Sequence, residues 1–172
     1  MTIWTILGSG VGVLALAAVG TLLLPRHVHV ERQATLPGDA EQVIALAASN
    51  TGYQRFNPYL SADPALKIAP FGPEAGVGSG FAFDGKDGTG TPTLTGVSAE
   101  AVTYTIDMGP MGQPVQSIAT EEGAAGTSVT WRVESDLGFN PMFRVFGLFM
   151  DGMMGPTFEL GLGDIRRLRR AK

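Results

Sequence analysis

Apolar and polar residues recur with two different periods along this chain, and the switch between periods predicts the elements. Residues 27–36 alternate and carry Val28 and Val30, the spacing of a strand. Pro37-Gly38 ends that run. Asp39 is placed as the N-cap of a helix over 40–48, whose apolar face is Val43, Ile44 and Ala47. Residues 50–52 close the helix, and 53–59 form a turn holding Phe56-Asn57-Pro58-Tyr59. Alternation then predicts strands at 66–70, 78–84, 91–98, 101–108, 115–121 and 127–134. Between them stand turn formers: Asp84-Gly85, Asp87-Gly88, Gly109-Pro110 and the glycines at 123 and 126.

The faces of these strands differ in chemistry. Val102, Tyr104, Ile106 and Met108 share one face, with Thr103, Thr105 and Asp107 opposite. Val129, Trp131 and Val133 oppose Thr130, Arg132 and Glu134 in the same way, and Phe81 and Phe83 share a face. That is an antiparallel sheet with one dry and one wet side. The period then changes to 3.6 for residues 141–168, which read as one long helix bent near Pro156. Phe143, Phe146, Met150 and Met153 form its stripe, and Phe158, Leu162 and Ile165 continue it. Interior glycine costs a helix about 1 kcal/mol and proline about 3, so packing has to override Gly147, Gly152, Gly155 and Pro156. The order of elements is an α+β layout with helices on one side of a sheet.

At the other end, residues 3–24 contain no charged side chain. A bilayer-crossing helix needs about 20 apolar residues, so this segment is expected to be an uncleaved anchor over residues 1–25, ahead of a folded domain at 26–172. A cleaved signal is the weaker reading, because no basic start precedes the apolar run and residues 19–24 would remain as an apolar stub. A buried soluble helix is the third. Gly8 and Gly12 make a small-xxx-small pair too common in so glycine-rich a chain to assign a helix contact. Arg26 and Arg32 follow the segment and no Lys or Arg precedes it, which leans toward a single-pass protein with its domain in the cytoplasm.

Composition narrows the chemistry further. The absence of cysteine among 172 residues excludes a disulfide framework, a thiolate metal site and a cysteine nucleophile. A net charge of −4 argues against general nucleic-acid binding. Five of the last seven residues are basic (Arg166, Arg167, Arg169, Arg170, Lys172), which suits a helix C-terminus and could also meet anionic lipid.

In order and spacing the chain resembles the START-like, helix-grip superfamily, the polyketide cyclase/dehydrase and lipid-transport or SRPBCC group. The residues that carry this are the first strand ending at Leu36-Pro37, the helix starting near Asp39-Ala40 and the Phe56 to Tyr59 turn. The glycine-rich run Gly76-Val77-Gly78-Ser79-Gly80-Phe81, the run Gly126-Thr127-Ser128-Val129-Thr130-Trp131 and the long terminal helix complete the set. The match spans roughly residues 28–168. It departs from the commoner pattern at Phe56 and Tyr59, where that pattern has tryptophans. The resemblance implies a curved antiparallel sheet wrapped around the C-terminal helix, with space for an apolar ligand between them. It transfers no reaction, because one fold hosts many functions.

Candidate chemistry is sparse. Gly76 to Gly80 is a turn into a bent strand and not a phosphate loop, since a strand follows it. His27 and His29 point the same way from a strand, but no third ligand clusters with them, so no metal or cofactor is expected. No Gly-x-Ser-x-Gly elbow occurs, and Glu121, Glu122, Asp84 and Asp87 sit in predicted turns. The remaining candidate is an apolar cavity walled by Phe81, Phe83, Tyr104, Ile106, Met108, Trp131, Phe143, Phe146, Met150 and Met153, with methionines lending adaptability. Asn57 and Tyr59 are its expected polar handles, together with the Tyr104 hydroxyl and the Trp131 indole. The expected function is binding of a lipid-like or other hydrophobic small molecule, beside a membrane and without a built-in reaction. A cyclase or aromatase-like enzyme using the same cavity is the alternative, and a domain with a filled core is the third reading. Oligomeric state is left open.

Overall fold

A computed structural model describes residues 20–170. The elements are β1 (His27–Leu36), α1 (Ala40–Ala47), α2 (Asn50–Gln54), α3 (Pro58–Ala62), β2 (Lys67–Phe71), β3 (Gly80–Gly85), β4 (Gly88–Val97), β5 (Ala101–Asp107), β6 (Val115–Gly123), β7 (Gly126–Asp136), α4 (Pro141–Gly147) and α5 (Met150–Arg170). A 3₁₀ turn, Gly109–Met111, joins β5 to β6. The seven strands make one antiparallel sheet in the order β1-β7-β6-β5-β4-β3-β2. Hairpin connections build it stepwise from β2 to β7, and β1 then closes on β7 in full register, from His27 opposite Asp136 to Leu36 opposite Thr127. A register shift between Leu94 and Gly96 marks a bulge on β4, the local device that bends a strand.

One face of the sheet carries the core: Val30, Leu36, Leu94, Val102, Tyr104, Ile118, Val129, Trp131 and Val133 are all essentially inaccessible. The α5 helix lies against β1 and β7 and buries Met150, Gly155, Phe158, Gly161, Leu162 and Ile165. Gly155 and Gly161 let it come that close. A methyl group at Gly161 would overlap the Trp131 ring, and one at Gly155 would overlap the Arg32 guanidinium. Close approach is therefore what offsets the helix-breaking tendency of these glycines. The arginines after the apolar stripe act as clasps: Arg166 donates to Thr35 O at 3.0 Å, and Arg169 donates to Pro37 O at 2.5 Å and Asp39 O at 2.9 Å.

Three expectations change. The terminal helix is interrupted at Leu148-Phe149 and not at Pro156, which lies inside α5. The interruption is a tightened turn, with Leu148 N bonded to Val145 O and Phe149 N to Phe146 O. Gly147 sits where a side chain would strike Leu137 and Val28, which holds α4 down at that point. Asp39 stands at the N-cap of α1 but makes no side-chain cap bond. The Glu122 carboxylate accepts from Ala40 N at 3.2 Å instead. Finally, the expectation of a single-pass membrane protein is corrected. Among the described residues, no helix is long and apolar enough to cross a bilayer. Residues 3–19 of the expected anchor lie outside the described residues, and the described end, 20–24, turns into β1 through Leu23 N to Gly20 O and Leu24 N to Thr21 O.

Candidate functional site

The space between sheet and helices is filled by aromatic rings. Tyr53 on α2 is the hub, 4.9 Å from the Phe56 ring, 5.2 Å from Phe81, 5.4 Å from Tyr104 and 6.3 Å from Trp131. Phe158 of α5 stacks on Trp131 at 5.1 Å with only 6° between planes. Alternation on β3, β5 and β7 sends Phe81, Tyr104 and Trp131 to the same side, and helix spacing brings Phe158 down onto them.

Polar groups are threaded through this cluster. Tyr104 donates its hydroxyl to Ala47 O at 2.7 Å, and Gln116 donates to the Tyr53 hydroxyl at 3.0 Å. Burial pushes both phenols well above the ordinary tyrosine range, so they act as neutral hydrogen-bonding groups. Among the described residues, three buried polar atoms have no partner: Trp131 Nε1, Ser79 Oγ and Gln54 Nε2. Buried polar groups are normally hydrogen-bonded, so Trp131 Nε1 and Ser79 Oγ are the buried donors that a ligand oxygen could reach.

Beside the rings an open depression of about 470 Å³ is lined by Ala82, Phe83, Asp84, Thr89, Gly90, Thr91, Asp107, Met108, Gly109 and Pro110. Phe83 belongs to both places, since it packs on the core and lines the depression. Gly90 is what leaves the room, because a side chain there would strike Met108 Sδ and the Phe83 ring.

The expected wall residues therefore separate into groups. Phe81, Tyr104, Trp131 and Met150 are in the core, and Phe143 packs half-buried against it. Phe83 and Met108 line the depression, and Ile106 is half-buried on the same strand face as Tyr104. Phe146 and Met153 are 48% and 58% exposed, as are their neighbours Met142, Leu148 and Phe149 to a similar or greater degree. Asn57 caps α3, accepting from Tyr59 N at 3.1 Å and donating to Gln54 Oε1 at 2.8 Å. Tyr59 follows it on α3, with its phenol pushed up to about 12 by burial and by nearby Asp87. Tyr53, Gln116 and Ser79 were not singled out from sequence. Tyr53 lay in a stretch read as a turn, and a lone Gln or Ser on a strand carries no distinguishing signal.

A long helix gripped by a curved antiparallel sheet defines the helix-grip class of α+β domain. The model of the family described as "Polyketide cyclase / dehydrase and lipid transport" matches residues 27–169. The chain belongs to that family. Among solved structures it is similar to a protein from Nitrosospira multiformis (16% identity, 81% of this chain and 94% of that one, TM-score 0.58). It is similar to the di-domain ARO/CYC StfQ of the steffimycin biosynthetic pathway (10% identity, 84% of this chain and 52% of that one, TM-score 0.60). A third likeness is to major latex-like protein 151 from Panax ginseng (14% identity, 83% and 97%, TM-score 0.51). At such identities these likenesses bear on the fold alone. No curated protein matches the chain by sequence.

Proposed function

We propose that this domain binds a hydrophobic small molecule, lipid-like or aromatic, and does so without transforming it. The observation that carries the reading is the continuity at Phe83 between the open depression and the aromatic interior. An apolar ligand entering beside Phe83 and Met108 gains by removing that surface from water, at about 25 cal/mol per Å². Further in it meets the Tyr53 hydroxyl, and Trp131 Nε1 and Ser79 Oγ, which have no partner among the described residues, donors that a ligand oxygen would satisfy. Because the rings fill the interior, entry requires them to move aside, and the adaptable thioether of Met108 stands at that margin.

The lack of suitable acid–base groups favours binding over catalysis. No imidazole is buried among the described residues, and the buried carboxylate of Asp63 accepts from the turn amides Ala65 N and Lys86 N. Native mass spectrometry of the purified protein, paired with displacement of an apolar fluorescent probe, tests the reading. The expected result is a bound apolar molecule, recovered chemically unchanged, and probe binding weakened by Phe83→Ser. No bound molecule together with no probe binding overturns it, and a covalently altered ligand overturns the non-catalytic part.

A further inference from the structure

Arg144 on α4 is 5% exposed and forms no ion pair among the described residues. Its Nε donates to Gly138 O at 2.9 Å, and its Nη1 donates to Leu22 O at 2.6 Å and Leu24 O at 3.2 Å. Its Nη2 has no acceptor among the described residues. Buried guanidinium groups are ordinarily paired with an acid. This one forms part of a cleft of about 230 Å³, which His27 and His29 also line.

The surrounding charge agrees. Arg26 and Arg144 both stand over the Phe139 ring, at 5.1 and 5.7 Å. Among the described residues, the carboxylate paired there is Asp136, which is held by Arg26 at 2.6 Å and lies 3.7 Å from His27 Nε2. Two guanidinium groups against one carboxylate leave a positive charge uncompensated. The next carboxylate along, Asp151, is engaged by Arg32 at 2.8 Å.

We propose that this cleft is a binding site for a phosphate group, held by Arg144 Nη2 and the two imidazoles. Arginine N–H groups form strong charge-assisted hydrogen bonds to phosphate oxygens, and the two imidazoles line the same cleft as Arg144. The adjoining Leu148, 56% exposed, offers an apolar surface to whatever the phosphate is attached to. The site is separate from the depression at Phe83, so its success or failure is independent of the binding reading above.

The test titrates the full chain with inorganic phosphate, with dihexanoyl phosphatidic acid below its micelle concentration, and with dihexanoylglycerol, following the His27 and His29 ring protons by NMR. A headgroup site predicts that the phosphatidic acid shifts both rings, that phosphate does so at least about tenfold more weakly, and that the uncharged diglyceride does neither. Equal affinity for phosphate and phosphatidic acid identifies free phosphate as the source and still upholds the site. Arg144→Lys keeps the charge and loses the Nη2 donor, and it should weaken binding about tenfold, equivalent to about 1.4 kcal/mol. His27→Gln and His29→Gln, both on an exposed strand face, keep the test open should the arginine variant not fold. Silent histidine rings with both phosphate compounds, or unchanged affinity in each of the single variants His27→Gln and His29→Gln, read from the imidazole that remains, overturn the proposal.

Discussion

Phe158→Ala probes the grip of α5 on the sheet. The ring is fully buried and stacked on Trp131 at 5.1 Å. Removing such a ring loses its transfer free energy and leaves a void that Trp131, wedged against Gly161, is poorly placed to fill. Truncations of this kind cost about 3–5 kcal/mol, and the lost ring contact is worth about 0.5–1.5 kcal/mol of that. A domain of this size loses about 2–4 °C per kcal/mol, so the midpoint should fall by roughly 6–20 °C. Thermal melts followed by circular dichroism read the midpoint, and urea denaturation reads the free energy, with the m-value expected to stay constant. Phe146→Ala is the internal control. A fully buried Phe146 would show the same 3–5 kcal/mol loss. At 48% exposure the expected loss is about 1–1.5 kcal/mol, near half of a buried side chain's transfer value. A loss below about 1 kcal/mol for Phe158→Ala, or equal losses at both positions, would refute the packed interior described above.

Gly161→Ala places a methyl group against the Trp131 ring and should cost about 1–3 kcal/mol through overpacking. A neutral result in the same denaturation assay would mean that α5 does not sit that close. The three tyrosines offer a spectrophotometric test. Their folded-state pKa values are all raised, so their contribution to stability is complete below the unfolded value of about 10 and is lost as pH rises further. Tyr59 should ionise near 12, while Tyr53 and Tyr104 should ionise only as the protein unfolds. A native-state phenol titrating near 10 contradicts the placement. Asp136 is held below the usual carboxylate range, chiefly by its hydrogen bond from Arg26. A depressed value contributes stability above the unfolded pKa that is lost as pH falls toward the folded one. Asp136→Asn should therefore flatten the acid limb of the stability curve, and carboxyl NMR should find Asp136 still ionised when other aspartates have protonated.

Much of the fold was legible in the sequence because local periodicity carries it. The strand alternation of Val102-Tyr104 and Val129-Trp131-Val133 and the helix spacing of Phe158-Leu162-Ile165 each name the buried face without reference to anything distant. The same rule misplaced part of the stripe. Phe143, Phe146, Met150 and Met153 are at helical spacing, yet the turn at Leu148-Phe149 changes the phase, so Met150 goes inward while Phe146 and Met153 face out. That turn falls where Gly147 meets Leu137 and Val28, a contact between segments that no local pattern encodes.

What the sequence determined alone is the dry face of β5, of β7 and of α5 from Phe158 onward, the order of the strands and, through these, the family. Each is a property of neighbours along the chain. Whether the interior is hollow or filled was decided only in three dimensions, where Tyr53, Phe56, Phe81, Tyr104, Trp131 and Phe158 come from five separate segments to fill one space. The positions of Arg144 beside His27 and His29, and of Phe83 beside Met108, arose in the same way. Side chains far apart in sequence converge only when the sheet curves and the helix closes on it, and chemistry that depends on such convergence cannot be read from spacing.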